Sequence, residues 1–230
     1  VIAQFGPETG PRIVVGAHYD AFYTTPGAND NASGVAGIIE LAKLVGTEEP
    51  DITIEFVAYT LEEPPWFATR QMGSAVHADS AHREDTEIVL AVVLEMIGDF
   101  NDEAESKSCP LPLLGLLYPR RGNFIAVVGR LDQRSAVLDV KQAMNRATPL
   151  PVCSINAPEA LVGIDFSDHR SYWVQDIRAV MVTDTAFYRY DGYHESSDTA
   201  ERLDYRRMAM VVDGVYAAIV AAAEKIRAEQ

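Results

Sequence analysis

His18, Asp20 and Asp30 fall in one polar stretch, GAHYDAFYTTPGANDNASG, running from Gly16 to Gly34. Further along, Glu62 and Glu63 follow the apolar run ITIEFVAY, Glu95 sits near the end of EIVLAVVLEM, and His194 lies in DGYHESSDT. Imidazole nitrogens and carboxylate oxygens bind divalent cations, and the mixed set suits zinc. Without a cation, carboxylates within about 4 Å of one another could not all stay ionised near neutral pH. Singly, each residue has an ordinary explanation. A histidine near a strand end is usually hydrogen-bonded or at the surface, and an EE pair is usually solvated. Asp30, in a loop rich in Gly, Asn and Asp, is first of all a turn residue. Their common position, at or just past the end of an apolar run, is what points to a joint site.

The runs themselves predict the elements that must carry these residues. Arg12–Gly16 is apolar and β-branched, as a buried strand requires, and the chain opening at Val1 enters a strand almost at once. Val35, Ile38, Ile39, Ala42 and Val45 repeat at helical spacing, with Asn31 or Ser33 placed to cap that helix. Strands are predicted at Ile52–Tyr59, Glu87–Met96, Phe124–Val128 and Ile177–Thr183. Helices are predicted at Arg70–His82, Leu131–Ala147 and, capped by Ser167, as far as about Val174. Asn101–Ser108 reads as a surface loop. Asp204 should cap a long final helix whose Met208, Val212, Val215, Ile219 and Ile226 form one apolar stripe. This alternation predicts an α/β three-layer sandwich, with a mixed, mostly parallel, twisted sheet and helices on both faces. In such sheets, ligands bind past the carboxyl ends of the strands. No linker divides the chain, so residues 1–230 are expected to form a single domain.

Thirty-four acidic residues against nineteen Lys and Arg give a net charge of −15. Such a surface repels nucleic acid and anionic lipid and favours cations. The longest apolar runs fall well short of the roughly 18 residues a spanning helix needs, so no membrane insertion is expected. Cys109 and Cys153 lie in no zinc-finger or thioredoxin-like arrangement, and sequence alone leaves a single disulfide open. The first residue is Val1, with no methionine, which suggests an upstream segment and makes the lack of a signal peptide uninformative about compartment.

GAHYDA, GANDNASGVAGIIELA, FVAYTLEE, LEMIG and GYHESSDT, in this order, resemble the motifs of the metallopeptidases of family twenty-eight, the di-zinc aminopeptidases. The resemblance covers nearly the whole chain. It implies a zinc-exopeptidase-like fold, peptide substrates and two Zn2+ ions. His18 and Glu63 would each hold one metal, Asp30 would bridge both, and Glu95 and His194 would complete the set. Sequence leaves open whether His18 pairs with Glu95 and Glu63 with His194, or the reverse. The resemblance gives Asp20 the role of orienting the His18 imidazole, and Glu62 that of general base toward a metal-acidified water. Tyr193 resembles a family tyrosine that donates to the tetrahedral oxyanion; its ordinary alternative is simple packing. Family members often have a cis peptide after the bridging Asp, which here would be Asp30–Asn31. A secreted or periplasmic location is implied, with the cytoplasm left open, and the oligomeric state is undetermined.

Two features depart from the family pattern. Glu95 stands where Asp is usual, and PPWFATRQMGS follows Glu63 where relatives have a shorter path. Pro64 and Pro65 should push Trp66 and Phe67 out as a stiff aromatic lip on the substrate pocket. Ser167, Asp168 and His169 match a recurrent family motif and are expected to support or cap, not to ligate. His77 and His82 are expected at the surface. One alternative function is that of the related glutaminyl cyclases, which keep a single zinc. They usually carry Trp before the last His and lack the NDNASG wording. The other alternative is a non-catalytic scaffold, which would lose ligands; here every ligand position is filled.

Overall fold

The computed structural model describes residues 1–108 and 119–229. Seven strands form one mixed sheet in the order β1-β3-β2-β4-β7-β5-β6. They are β1 (Ile2–Phe5), β2 (Arg12–His18), β3 (Thr53–Tyr59), β4 (Ile88–Glu95), β5 (Ile125–Gly129), β6 (Val152–Asn156) and β7 (Ala179–Thr183). β3, β2, β4 and β7 run parallel, so their carboxyl ends share one edge. β1 is antiparallel to β3, and β5 antiparallel to β7. β6, parallel to β5 at the far edge, was not foreseen from the sequence.

Among the described residues, the α-helices are α1 (Gly34–Val45), α2 (Gly73–Arg83), α3 (Arg134–Ala147), α4 (His169–Val174) and α5 (Tyr205–Glu229). Strand alternation sorts them into layers. Ile13, Val15, Val92 and Val180 pack with α1, α3 and α5, whereas Val14, Ala91, Ala179 and Met181 pack with α2 and α4. The expected stripe of α5 is buried, and the Asp204 carboxylate accepts the Arg207 amide at 3.0 Å, as a cap should. The three-layer sandwich is therefore observed. At the middle of β2, Gly16 leaves room for Tyr59: a Cβ there would lie 2.2 Å from the ring.

Candidate metal centre

Strand ends deliver the site. His18 is the last residue of β2 and Glu95 the last of β4, while Glu62 and Glu63 come just past β3. Asp30 sits in the turn before α1, where Asp30 (φ −107°, ψ 87°) and Asn31 (φ −137°, ψ 36°) leave the helical region. The Asp30–Asn31 peptide is cis, as expected. Leu61, Met96 and His194 have positive φ, an uncommon state outside glycine that redirects the chain beside three of the acidic residues and at one imidazole.

Asp30 faces both histidines. His18 Nε2 lies 3.4 Å from Asp30 Oδ1 and 3.3 Å from Glu95 Oε2. His194 Nε2 lies 3.2 Å from Asp30 Oδ2 and 3.3 Å from Glu63 Oε2. Charge-assisted hydrogen bonds are shorter, about 2.7–2.9 Å. Ligands at about 2.0–2.1 Å around a tetrahedral zinc, by contrast, stand about 3.3–3.4 Å apart. Glu63 Oε1 is buried with no hydrogen-bond partner among the described residues, a further opening for a cation. Donor atoms of His18, Asp30 and Glu63 also lie within 4.8 Å of one another, so the two groups form one cluster about Asp30. The contacts pair His18 with Glu95 and His194 with Glu63, the choice that sequence left open. Glu62 Oε2 stands farther off, 4.0 Å from His18 Nε2.

The electrostatics follow from burying so many like charges. Burial opposes ionisation of His18, yet Glu95, Glu62, Asp20 and Asp30 together raise its pKa well above the ordinary value. His194 is likewise lifted, against burial, to about 9 by Asp30 and Glu63. Burial works against Asp30 too, but the two imidazoles hold it down at about 2. Glu62 is pushed well up by burial and by Glu95, Asp168 and Asp30, despite His18. Glu63 and Glu95 are raised chiefly by burial. The cluster holds more carboxylate than its imidazoles neutralise, which is the setting in which a divalent cation binds.

Supporting groups fix these side chains, and two of them differ from expectation. The Asp20 main-chain carbonyl, 3.0 Å from His18 Nδ1, orients the imidazole; its carboxylate lies 3.7 Å away, beyond hydrogen-bond length. That carboxylate instead accepts the amides of Glu62 (3.3 Å) and Glu63 (3.1 Å). Ser167 does not cap α4 with its hydroxyl, which donates to Glu95 Oε2 at 2.7 Å, and Asp168 takes the cap position. Asn31 does cap α1: Oδ1 accepts the amides of Gly34 and Met96, while Nδ2 donates to Leu94 O. Sequence reasoning missed Phe22, whose ring stacks on His194 at 3.9 Å. It also missed Asp198, which accepts the amides of Asn29 and Asp30; the quoted GYHESSDT motif contained it without giving it a role.

Tyr193 stacks on His194 with centroids 3.8 Å apart and lines a cavity of about 280 Å³ that opens from the cluster. Burial and the nearby Asp30 carboxylate raise its phenol pKa, so it keeps its proton. Beyond the cluster the cavity is mostly apolar, with Phe67, Phe124, Val128, Phe166, Met181 and Phe187 among its walls. Of the expected lip, only Phe67 faces the cavity, packing on Phe166. Turn hydrogen bonds from Trp66 N to Glu63 O and from Thr69 N to Trp66 O fold the segment back, and Trp66 remains outside the lining. His82 is exposed as expected, but His77 is only partly so: it joins Glu55 (3.0 Å) and Tyr172 (2.8 Å) in a half-buried network. Cys153 lies on the cavity wall with no disulfide partner among the described residues, and Cys109 lies outside them.

A family model for Peptidase family M28 matches residues 1–219. Uncharacterized protein YfbL of Escherichia coli (strain K12) is 50% identical over 223 residues, covering 94% of this chain and 68% of that protein. The LapA aminopeptidase of Legionella pneumophila superposes with a TM-score of 0.75 at 22% identity, over 96% of this chain and 54% of its own. A glutaminyl cyclase of Bacteroides thetaiotaomicron, solved with N-acetylhistamine, gives 0.68 at 17% identity, over 95% and 75%. The chain thus spans about half the length of the aminopeptidase structures it matches.

Proposed function

The chain belongs to peptidase family M28, and from that premise we propose that it removes N-terminal residues from peptides with two zinc ions. His18, Asp30 and Glu95 would hold one ion, and His194, Asp30 and Glu63 the other. The carrying observation is the set of four imidazole–carboxylate separations of 3.2–3.4 Å arranged around a shared Asp30. Zinc dependence of the family and the buried, unpartnered Glu63 Oε1 support the same reading. We propose further that residues 1–230 act as one catalytic domain.

When bound, zinc would polarise the scissile carbonyl and lower the pKa of a water from 15.7 toward about 7. The chain supplies the proton transfers. Glu62, beside the ligands but farther from the imidazoles, takes the proton from the attacking water and returns it to the leaving amine. Asp20 holds the backbone of Glu62 and Glu63 through their amides, an arrangement in which Glu63 would hold the metal and Glu62 would stay available to the reacting water. Tyr193, kept protonated, donates a hydrogen bond to the oxyanion. The aromatic cavity accepts the side chain of the N-terminal residue, and burying a large apolar side chain contributes roughly 1.5–3 kcal/mol.

The test combines metal analysis with a panel of aminoacyl-nitroanilides and glutaminyl peptides. Close to two zinc equivalents are expected, with release of bulky apolar residues and loss of activity on chelation. One tightly held metal together with cyclisation of N-terminal glutamine would overturn the aminopeptidase reading. A strong preference for acidic or basic residues would overturn the pocket assignment.

A further inference from the structure

We infer that Asp198 is a positioning residue that locks the His194 half of the metal centre onto the bridging carboxylate. This rests on the zinc-peptidase reading above. Three successive amides converge on it. Ala28 N donates to its main-chain carbonyl (3.3 Å), Asn29 N to Oδ1 (2.8 Å) and Asp30 N to Oδ2 (3.0 Å). Tyr190 Oη adds a fourth bond to Oδ1 at 2.8 Å, and the residue is 1% exposed. Successive amides of this kind form an anion-binding concavity. They are also the amides that the start of a helical segment leaves without intrahelical partners.

The consequence lies in what Asp198 connects. Its own amide donates to Glu195 O at 3.1 Å, closing the turn that directly follows His194. Asp30, whose amide it holds, presents Oδ2 to His194 Nε2 and Oδ1 to His18 Nε2. One carboxylate thus binds the segment carrying the His194 ligand to the irregular turn carrying the bridge. The other half is assembled differently. His18 and Glu95 end paired strands, held by main-chain ladders to Tyr59 and Thr183, and Ser167 fixes Glu95. None of those bonds involves Asp198. Asp30 is common to both positions, so loss of the Asp198 carboxylate should weaken both through the bridge. The His194 position should weaken more, because that half alone also loses its tie to the segment carrying its imidazole. A general destabilisation would weaken the two alike.

Asp198→Asn keeps the shape but turns one acceptor into a donor facing an amide. Zinc titration by calorimetry, with metal analysis after dialysis, is expected to give two equivalents for the wild-type chain. For Asp198→Asn, the His194 position should be weakened 10–100-fold, the usual effect of removing a partner behind a ligand, and the His18 position distinctly less. His194→Ala should lose the His194 position, and Asp198→Asn should add no further loss there. The cobalt-substituted variant should show one set of absorption bands altered more than the other. Unchanged affinities, or equal weakening of both positions, would overturn the inference. If Asp198→Asn does not fold, Tyr190→Phe decides: a smaller weakening, greater at the His194 position than at the His18 position, supports the lock, and no change or equal weakening overturns it. A wild-type chain that binds no zinc would sink the zinc-peptidase reading itself, and the lock with it. Two tight metals with an indifferent Asp198 would sink the lock alone.

Discussion

Replacing Glu62 by Gln exchanges one carboxylate oxygen for an amide and changes little else. Its main-chain amide still reaches Asp20 at 3.3 Å, and the side chain stays buried beside His18. The variant loses the ability to accept a proton. A positioned general base contributes roughly 10²–10⁴-fold, so turnover should fall by about 2.7–5.4 kcal/mol of barrier. Zinc content should not change, because no imidazole lies within 3.5 Å of Glu62 as it does of Glu63. Glu63→Gln is the matched control. Its Oε2 stands 3.3 Å from His194 Nε2, so a neutral amide there should cost metal at the His194 position. Steady-state turnover on an apolar aminoacyl-nitroanilide, with metal analysis of the same samples, separates the two. Near-normal turnover in Glu62→Gln, or loss of zinc from it, would refute the division between base and ligand.

Other consequences can be checked separately. Ser167→Ala removes the donor 2.7 Å from Glu95 Oε2 and should weaken zinc at the His18 position about 10–100-fold, read by competition with a chelator. His169 is fully buried and its pKa is depressed to about 4, chiefly by burial. The unfolded chain therefore binds a proton that the folded chain refuses between about pH 6.5 and pH 4, and stability is lost on acidification through that window. The loss is about 3 kcal/mol, and His169→Gln should lose less between pH 7 and pH 5 in urea unfolding. An equal slope in both proteins would show that another group governs acid stability. Gly16→Ala drives a methyl against the buried Tyr59 ring and should cost about 1–3 kcal/mol, detectable as a lower Tm. In a Tyr59→Leu background most of that cost should disappear.

The sequence exposed some parts of this molecule and hid others, for physical reasons. β2, β3, β4 and β7 are buried on both faces, so their apolar runs stand out, and polar residues at their ends stand out in turn. β6 escaped because it is an edge strand, half-buried after Val152, and its VCSIN carries no such run. His77 was misplaced because a helix with little apolar content looks solvated, and nothing local announces Glu55 and Tyr172 as its partners. Trp66 and Phe67, adjacent in sequence, part company where the turn folds back.

A deeper division runs through the site itself. The proposed ligands are legible because their type is chemically restricted and their position is tied to strand ends. The groups that hold ligands in place obey neither rule. Asp198 lies 168 positions from Asp30, and Ser167 lies 72 from Glu95. Any hydrogen-bonding side chain of suitable reach could have filled either post, so residue type alone does not single them out. Asp20 shows the same limit at close range. Sequence placed it beside His18 but could not foretell that its carbonyl would serve the imidazole. That leaves its carboxylate for the two amides that set Glu62 apart from Glu63. The proposed base and ligand are neighbours in the chain, and the side chain that keeps their backbone in register is supplied by the loop after β2. The separation of their roles is therefore a property of the contact between two strand ends and not of either strand alone.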